Sequence, residues 1–493
     1  MNIADLLRET AQRVPDKQAL LEVSGAMTSF AEFDAEVDRV AAALQEWGLQ
    51  PGDRVAIVMP NHRHFPFGHF GVLRAGGVVV PTNVMLTAPE MKKVFSDAEV
   101  RFVLASPPFA QVAAEGIKET SVERLLSTDD WSSLGDIGQT PNEVSRSEDD
   151  LAVLAYTSGT TGEPRGAMLT HGNLLANLRQ QMAIPDAKVE EDDVLFLALP
   201  MFHIFGLNVP LGLLVLNGAS GVLLERFEPI ATLKLIQDRK VSVLFGAPTM
   251  YAAWADTPGA DQYDLSSVRL AISGAAPLSP AVLDAFNDMF GVQIYEGYGM
   301  TETAPTLTTN RMAEGPRPGS IGKPLPEVEI RLVDDEGNDV EFGDPGELWV
   351  KGPNVFQGYW NRTAESDACF TDGWFRTGDI GVRDEEGYLY LVDRKRDLII
   401  VSGFNVFPSE VEGALLQNPK VTDAGVVGEK HPYTGESVKA FVVLHPGETA
   451  DQAELLEDVQ TRLARFKCPA QIEIVESLPR LLTGKVLRRA LRT

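Results

Sequence analysis

The sequence predicts an α/β fold: a large N-terminal domain of doubly wound α/β subdomains plus a small antiparallel β region, followed by a small α+β C-terminal domain. Three observations predict it. Apolar strand-like runs alternate with helical stretches through about the first 300 residues. From about residue 325 the texture changes to short alternating runs with turn signals, and the last hundred residues return to mixed α and β character. A chain of 493 residues is long enough for two domains, each with its own core.

The first stretch, MNIADLLRETAQRVPD, reads as a short amphipathic helix. It lacks the basic start and apolar run of a signal peptide. Phe33, Val37, Val40, Ala41, Leu44 and Trp47 then recur at three- and four-residue steps, one face of a helix that Gly48 ends. DRVAIVMP, GGVVVPTN and RFVLAS are buried strands. Between the last two, Thr87 with Glu90 forms a capping box and Pro89 sits in the first helical turn. Strands separated by helices argue for a parallel sheet covered on both faces.

After a polar, acidic region around residues 127–150, VLAYTS, DVLFLALP, ASGVLLE, SVLFGAP, VRLAISG and VQIYEGYG are the next strands. VEIRLVDDEGNDV, GELWVKG and GYLYLVDRKRD form the antiparallel region. SEVEGALLQ, KAFVVLH and ELLEDVQTRLARF supply the mixed C-terminal part. The most apolar stretch, VPLGLLVLNGASGVLLE, is broken by Asn217 and glycines and is too short to span a bilayer.

Hydrophobic residues make up 44% and charged residues 23%, ordinary values for a soluble chain. Against 43 lysines and arginines stand 70 aspartates and glutamates, a formal net charge of −27. That balance disfavours nucleic acid and anionic lipid surfaces as partners. The two cysteines, Cys369 and Cys468, lie far apart and outside any CxxC. They read as structural thiols in a reducing cytoplasm.

The chemistry begins at YTSGTTGEPRG, Tyr156 to Gly166. Glycines there let the backbone turn its N–H groups inward, which makes an anion-binding nest. The hydroxyls add donors, and Arg165 adds a fixed charge. A loop of this kind, following a strand, suits a polyphosphate. A Walker loop is excluded because no Gly-Lys-Ser/Thr follows. The dinucleotide fingerprint is absent as well, since Glu302 stands where a third glycine after Gly297 and Gly299 is required. No GxSxG elbow occurs, which argues against a serine hydrolase.

TSGTTGEPRG resembles the phosphate loop of the acyl-adenylate-forming enzymes, which include acyl- and aryl-CoA synthetases, adenylation domains and firefly luciferase. Further signatures follow in the family's order: MFHIFGL (201–207), SGAAPLS (273–279), YGMTET (298–303), WFRTGDIG (374–381), DRKRDLIIVSGFNVFPSEVE (393–412) and PRLLTGKVLRRAL (479–491). The resemblance covers essentially the whole chain. It implies an N-terminal AMP-binding domain over 1–393, a hinge at 394–396 and a mobile C-terminal domain over 397–493.

The resemblance implies roles residue by residue. Thr157, Ser158, Gly159, Thr160, Thr161 and Gly162 cradle the phosphates of ATP, with Arg165 behind them. Tyr298 offers a flat ring for adenine. Gly274, Ala275 and Ala276 let the other face of the base approach backbone, and Glu296, Gly297 and Gly299 flank the tyrosine. Glu302 and Thr157 hold Mg²⁺, which takes oxygen ligands and bridges phosphates. Thr301 lies near the α-phosphate, Asp379 accepts from both ribose hydroxyls, and Arg394 reaches the ribose or phosphates. Lys485 binds the carboxylate and the α-phosphate as the adenylate forms. Ser402, Gly403 and Phe404 line a tunnel for the pantetheine of coenzyme A. His203 sits at the acyl–thiol junction. Rotation at Arg396 exchanges the Lys485 and Ser402 loops between half-reactions.

The implied reaction has two halves. A carboxylate attacks the α-phosphorus of ATP and pyrophosphate leaves; a thiol then attacks the acyl adenylate and AMP leaves. Three residues depart from the family pattern: Arg165 replaces a lysine, Arg396 replaces Lys or Asp, and Glu296 replaces a glutamine. Arg keeps the charge with a different fork of donors.

The segments that the resemblance implies for the acyl pocket read FHIFGLNVPLGLLV, GAPTMY and GYGM, apolar and without Lys or Arg. A second carboxylate would lack a cation there. Medium- or long-chain fatty acids therefore come first, aromatic acids next. A ligase that loads a carrier protein, a luciferase-like oxidase and a non-catalytic nucleotide-binding scaffold are the other readings. Together, Thr157, Glu302, Asp379 and Lys485 argue against the scaffold. The implied partners are a small carboxylic acid, ATP and CoA, and a homodimer is left open.

Overall fold

The computed structural model describes the chain apart from residues 137, 159–163, 186, 313–314, 395–396, 402–403, 432–434, 481–485 and 493, and apart from the side chains of 158, 394, 404, 405, 435 and 489. It divides into two compact units, Met1–Glu329 with Lys351–Phe375, and Ile330–Val350 with Arg376–Thr493.

In the first unit, β1 (Gln18–Glu22) and β2 (Met27–Ser29) form a hairpin at the edge of a nine-stranded sheet. β3 (Arg54–Val58), β4 (Val78–Pro81), β5 (Val100–Ala105), β6 (Arg124–Ser127), β7 (Leu151–Ser158) and β8 (Pro164–Thr170) make a six-stranded sheet in the order β6-β5-β3-β4-β7-β8. β9 (Val194–Leu197), β10 (Ser220–Leu223), β11 (Val243–Gly246), β12 (Leu270–Ser273), β13 (Ile294–Gly299), β14 (Thr306–Thr309) and β15 (Lys323–Pro324) complete the nine-stranded sheet, ordered β15-β14-β13-β12-β11-β9-β10-β1-β2. The run from β13 to β1 is parallel throughout. Each predicted strand of this part forms at its expected segment, β5 starting one residue and β7 two residues earlier, because the apolar runs are buried on both faces: Val55 to Val58, Val78 to Val80 and Val243 to Phe245 are all fully buried.

Helices form where capping and periodicity place them. Phe30–Glu46 starts earlier than its apolar face suggests, because Ser29 and Glu32 close a capping box. Thr87 and Glu90 close the second box at the start of Ala88–Asp97, with the Thr87 N–H donating to Glu90 Oε2 at 2.8 Å. The acidic region around 127–150 holds more structure than its composition suggests. A 3₁₀ turn at Thr128–Leu134 buries Trp131 and Leu134, and the Trp131 ring lies 4.5 Å from His64.

The second unit contains β20 (Leu389–Arg394) and most of β16 (Glu329–Val333), β17 (Gly346–Lys351) and β19 (Trp374–Arg383), while β18 (Phe370–Thr371), in the first unit, pairs with Trp374 and Phe375 at the start of β19. The last part packs helices Pro408–Leu416 and Gln452–Gln460 on a sheet of β21 (Ile399–Val401), β22 (Phe404–Val406), β23 (Val421–His431), β24 (Gly435–Leu444) and β25 (Gln471–Ile474). Ile399, Val406, Val411, Val426, Val442 and Leu455 are the centre of its core. Within ELLEDVQTRLARF the helix ends at Gln460, and Arg465–Lys467 turns separately. Arg488 forks onto Glu412 at 2.7 and 2.9 Å and reaches Asp393 at 3.3 Å. Among the described residues no helix is long and apolar enough to cross a membrane.

Four imidazoles in the first unit set a pH dependence. Burial lowers His64 and His69 to about 3 and His171 and His203 to about 4, from an ordinary 6.5. His171 accepts from the Ile3 N–H at 3.2 Å through Nδ1 and is thus held neutral. Below pH 6.5 the unfolded chain takes up protons that these folded rings refuse, so stability falls with pH until about 4. Glu296, raised to about 7, acts in the opposite direction over part of that range. Net, roughly 3–4 kcal/mol is lost per pH unit between pH 6 and 5. A thermal midpoint equal or higher at pH 5 than at pH 6.5 would contradict this.

Candidate functional site

The nine-stranded sheet has a point where the chain changes direction. From β9 the chain crosses to β10 on one side, then returns past β9 to β11 on the other. Segments leaving the carboxyl ends of β9 and β11 therefore diverge, which opens a crevice. The segment after β9 carries His203, β11 ends in Gly246, β12 leads into Gly274–Ala276, and β13 carries Glu296 to Gly299 and leads to Thr301 and Glu302. Four segments singled out in the sequence thus leave neighbouring parallel strands at the same end.

Packing brings these segments into contact. A Cβ on Gly274 would lie 2.9 Å from the Phe205 ring, so glycine permits that close approach. Phe205 meets Phe245 edge to face at 6.5 Å. Behind Gly246 lies Tyr251, fully buried, its hydroxyl donating to the Ile272 carbonyl at 2.9 Å. The residue after Gly274, Ala275, is exposed and has φ +73°, while Ala276 is half-buried.

His203 caps the short helix Ile204–Asn208, with Nδ1 accepting from the Phe205 N–H at 3.3 Å. Burial lowers its pKa to about 4. The ring is therefore neutral at pH 7, and since Nδ1 accepts, Nε2 carries the proton. The strand–helix link ahead of it is fixed by Asn61, which follows β3 in the other sheet. Asn61 Nδ2 donates to the Leu197 and Leu199 carbonyls at 2.8 and 2.9 Å, and its Oδ1 accepts from the Met201 N–H at 2.9 Å.

Glu296 is 7% exposed, and its Oε1 accepts from the Leu278 N–H at 3.1 Å, joining β13 to the segment after Gly274. Burial raises its carboxyl to about 7, with the Leu278 bond opposing the shift. Burial thus favours the protonated carboxyl, which can donate as an amide would. Tyr298 is half-buried on the same strand, opposite Thr308. A Cβ on Gly297 would meet the Thr308 carbonyl oxygen at 2.9 Å.

Thr301 and Glu302 stand in a 3₁₀ turn, Thr301–Thr303. That turn is held by buried carboxamides. Asn208 donates to the Ala304 carbonyl at 2.7 Å, and Asn354 donates to Thr303 at 2.7 Å and to Thr306 at 3.1 Å. Asn177 donates to Thr306 at 2.8 Å, and Gln180 bonds both Asn177 and Asn354. All four carboxamides are at most 3% exposed. Sequence reasoning missed them, together with Asn61, because asparagine and glutamine in helices and loops ordinarily mark the solvent face.

Glu302 is 7% exposed and Oε1 accepts from the Tyr359 hydroxyl at 2.8 Å. Its backbone carbonyl accepts from the Phe356 N–H at 2.9 Å. The chain from Phe356 to Trp360 then runs along β8: the Met168 N–H donates to Gly358 at 2.9 Å, and the Trp360 N–H donates to Gly166 at 2.8 Å. β7 and β8 are the two arms of a hairpin, with Thr157 opposite Arg165 and Ser158 opposite Pro164. Gly159, Thr160, Thr161 and Gly162 at its tip lie outside the described residues. Thr157 is half-buried. Arg165 Nε pairs with Glu365 Oε2 at 2.8 Å, and its guanidinium lies 5.7 Å from the centre of the Tyr359 ring.

Among the described residues no three His, Cys, Asp or Glu side chains gather as a protein-only metal cage. Mg²⁺ is ordinarily held by one or two carboxylates with substrate phosphates and water, so a single buried carboxylate beside the hairpin fits that ion.

In the second unit, Asp379 on β19 is 4% exposed and sits opposite Arg394 on β20. Thr377 Oγ1 accepts from the Asp379 N–H at 3.1 Å. Phe404 begins β22. The side chains of Arg394 and Phe404 lie outside the description, as do Arg396, Ser402, Gly403 and Lys485.

A family profile described as AMP-binding enzyme matches residues 7–360, and one described as AMP-binding enzyme C-terminal domain matches residues 410–485. The chain belongs to the AMP-binding enzyme family. A long-chain-fatty-acid–CoA ligase of Bacillus subtilis (strain 168) is 36% identical over 526 aligned positions, covering 99% of this chain and 94% of the relative. A feruloyl-CoA synthase of Amycolatopsis sp. is 36% identical, covering 95% and 94%. The crystal structure of ATP-bound MatB from Rhodopseudomonas palustris superposes with a TM-score of 0.92 at 35% identity, covering 100% of this chain and 98% of that one. This AMP-binding enzyme is an acid–thiol ligase, and ATP and CoA are the co-substrates of its class.

Proposed function

We propose that this AMP-binding enzyme activates a medium- or long-chain fatty acid as its acyl adenylate and transfers the acyl group to CoA. The observation that carries the reading is the chemistry at the crevice. From Phe202 to Val215, from Gly246 to Tyr251 and from Gly297 to Met300 there is no Lys or Arg, and His203, the only ionisable group of the first segment, is neutral. Such a lining suits an apolar acyl chain, each buried methylene contributing about 0.8 kcal/mol, close to fourfold in affinity. The name of the Bacillus subtilis relative agrees with it. An aromatic acid is the second reading. The edge-to-face Phe205–Phe245 pair and the feruloyl-CoA synthase favour that one.

In the first half-reaction the hairpin tip, Thr157 to Gly162, and Arg165 bind the phosphates of ATP. Glu302, with Thr157, would hold Mg²⁺, which when bound supplies charge neutralisation on the phosphate oxygens. Tyr298 stacks on the adenine, opposite Gly274 to Ala276, with Glu296, Gly297 and Gly299 closing the edge of the base. Thr301 donates toward the α-phosphate. Asp379 accepts from the ribose hydroxyls with Arg394 beside it. Lys485 brings the substrate carboxylate to the α-phosphorus and stabilises the charge that develops there. In the second half-reaction Ser402, Gly403 and Phe404 line the path of the CoA thiol, and neutral His203 offers its Nε2–H at the acyl carbon. Localisation to the cytoplasm accords with the two free cysteines, Cys369 and Cys468.

The test is a panel: ATP, Mg²⁺ and CoA with octanoate, palmitate, benzoate, ferulate and malonate, measuring AMP and thioester. The highest kcat/KM is expected with a straight-chain acid. A higher value with benzoate or ferulate would replace this reading by the aryl one, and AMP without thioester would point to another acceptor. No product with any acid would remove the catalytic reading.

A further inference from the structure

We propose that Tyr359 is a positioning residue for the adenylation half-reaction, orienting the Glu302 carboxylate toward the metal–phosphate group. The inference rests on the reading that Glu302 holds the metal. Tyr359 is 9% exposed, and its hydroxyl donates to Glu302 Oε1 at 2.8 Å. A carboxylate that carries a metal needs its rotation set by an outer partner, and the phenol proton supplies that here.

The tyrosine is itself fixed by its backbone. Its N–H donates to Ser366 Oγ at 2.8 Å, it forms a β-bridge to Ala167 on the downstream arm of the hairpin, and Phe356 packs edge to face on its ring at 5.0 Å. Ser366 lies on helix Thr363–Ala368, whose Glu365 pairs with Arg165, and the Arg165 guanidinium lies 5.7 Å from the Tyr359 ring centre. One side chain therefore touches the carboxylate on the turn after β13 and the cation on β8. The hairpin arm and the turn come from different sheets, and Tyr359 sets the spacing between them.

The experiment uses Mn²⁺ in place of Mg²⁺, with ATP and no acid, so that binding is read by electron paramagnetic resonance without turnover. Tyr359→Phe keeps the ring and removes the hydroxyl. Its Mn²⁺ affinity is expected to fall about tenfold. Thioester formation from preformed acyl adenylate, which needs no metal, is expected to proceed at the rate of the unaltered protein. In a Glu302→Gln background the same substitution is expected to change Mn²⁺ affinity no further. An unchanged affinity in Tyr359→Phe overturns the proposal, as does an equal loss in both half-reactions or full additivity with Glu302→Gln. Should Glu302→Gln alone leave Mn²⁺ affinity intact, the metal reading of Glu302 falls first. A loss in Glu302→Gln with none in Tyr359→Phe removes the present inference alone. If Tyr359→Phe does not fold, Ser366→Ala frees the Tyr359 N–H and is expected to weaken Mn²⁺ binding in the same direction; no change there overturns the proposal.

Discussion

Glu302→Gln is expected to slow adenylate formation by about 10²–10³-fold while leaving thioester formation from preformed adenylate near its original rate. The substitution is nearly isosteric, and the Tyr359 phenol can still donate to the amide oxygen. The turn around it does not depend on the charge. Its carbonyls at Thr303, Ala304 and Thr306 are bonded to Asn354, Asn208 and Asn177, and none of these bonds involves the Glu302 side chain. The variant therefore keeps its fold and loses one negative oxygen where the metal and the phosphates are to meet. Pyrophosphate release measured with acid and ATP, against CoA consumption from synthetic acyl adenylate, separates the two halves. Equal losses in both, or no loss in the first, would remove Glu302 from the metal site.

The elements of the fold were legible because their burial is extreme. Runs such as VAIV, Val55 to Val58, and VLFG are covered on both faces, so they carry no polar residue to blur the pattern. The capping box at Thr87 and Glu90 was legible because its two partners lie three residues apart. The order of the strands was not legible. The return of the chain past β9 depends on which apolar edges meet, and six similar runs carry no label for that. The same limit governs the site. Thr301 and Glu302 stand out as a motif, but the residues that hold them do not. Asn61 bonds Leu197 across 136 positions, and Asn354 bonds Thr303 across 51. Each looks like a surface carboxamide until its distant carbonyl is known. Arg165 shows the converse: its charge was legible, but its pairing with Glu365 was not, because that glutamate belongs to a short helix far along the chain.

Gly299→Ala tests the turn itself and is expected to cost about 3 kcal/mol of stability in the first unit, with adenylate formation falling alongside. A Cβ at Gly299 would lie 2.0 Å from the Pro305 carbonyl oxygen, 2.7 Å from its carbon and 2.9 Å from Thr306 Cα. All three are backbone atoms, so no side-chain rotation relieves the collision. The Pro305 oxygen is also occupied, accepting from the Met300 N–H at 2.9 Å and from Thr303 Oγ1 at 2.6 Å. Moving it away breaks both bonds and pulls on Thr306, which Asn177 and Asn354 hold. The strain then falls on the five residues between the colliding ends, Thr301 and Glu302 among them. Gly413 provides the comparison: it lies inside helix Pro408–Leu416, and a Cβ there meets nothing within 4 Å. Gly413→Ala is expected to be neutral or to stabilise by up to about 1 kcal/mol, the difference in helix propensity. Thermal unfolding of the two variants beside the parent protein decides the matter. A Gly299→Ala protein with the parent's midpoint and the parent's rate of pyrophosphate release would mean that this turn yields freely, and that the carboxamides around it do not fix where Glu302 stands.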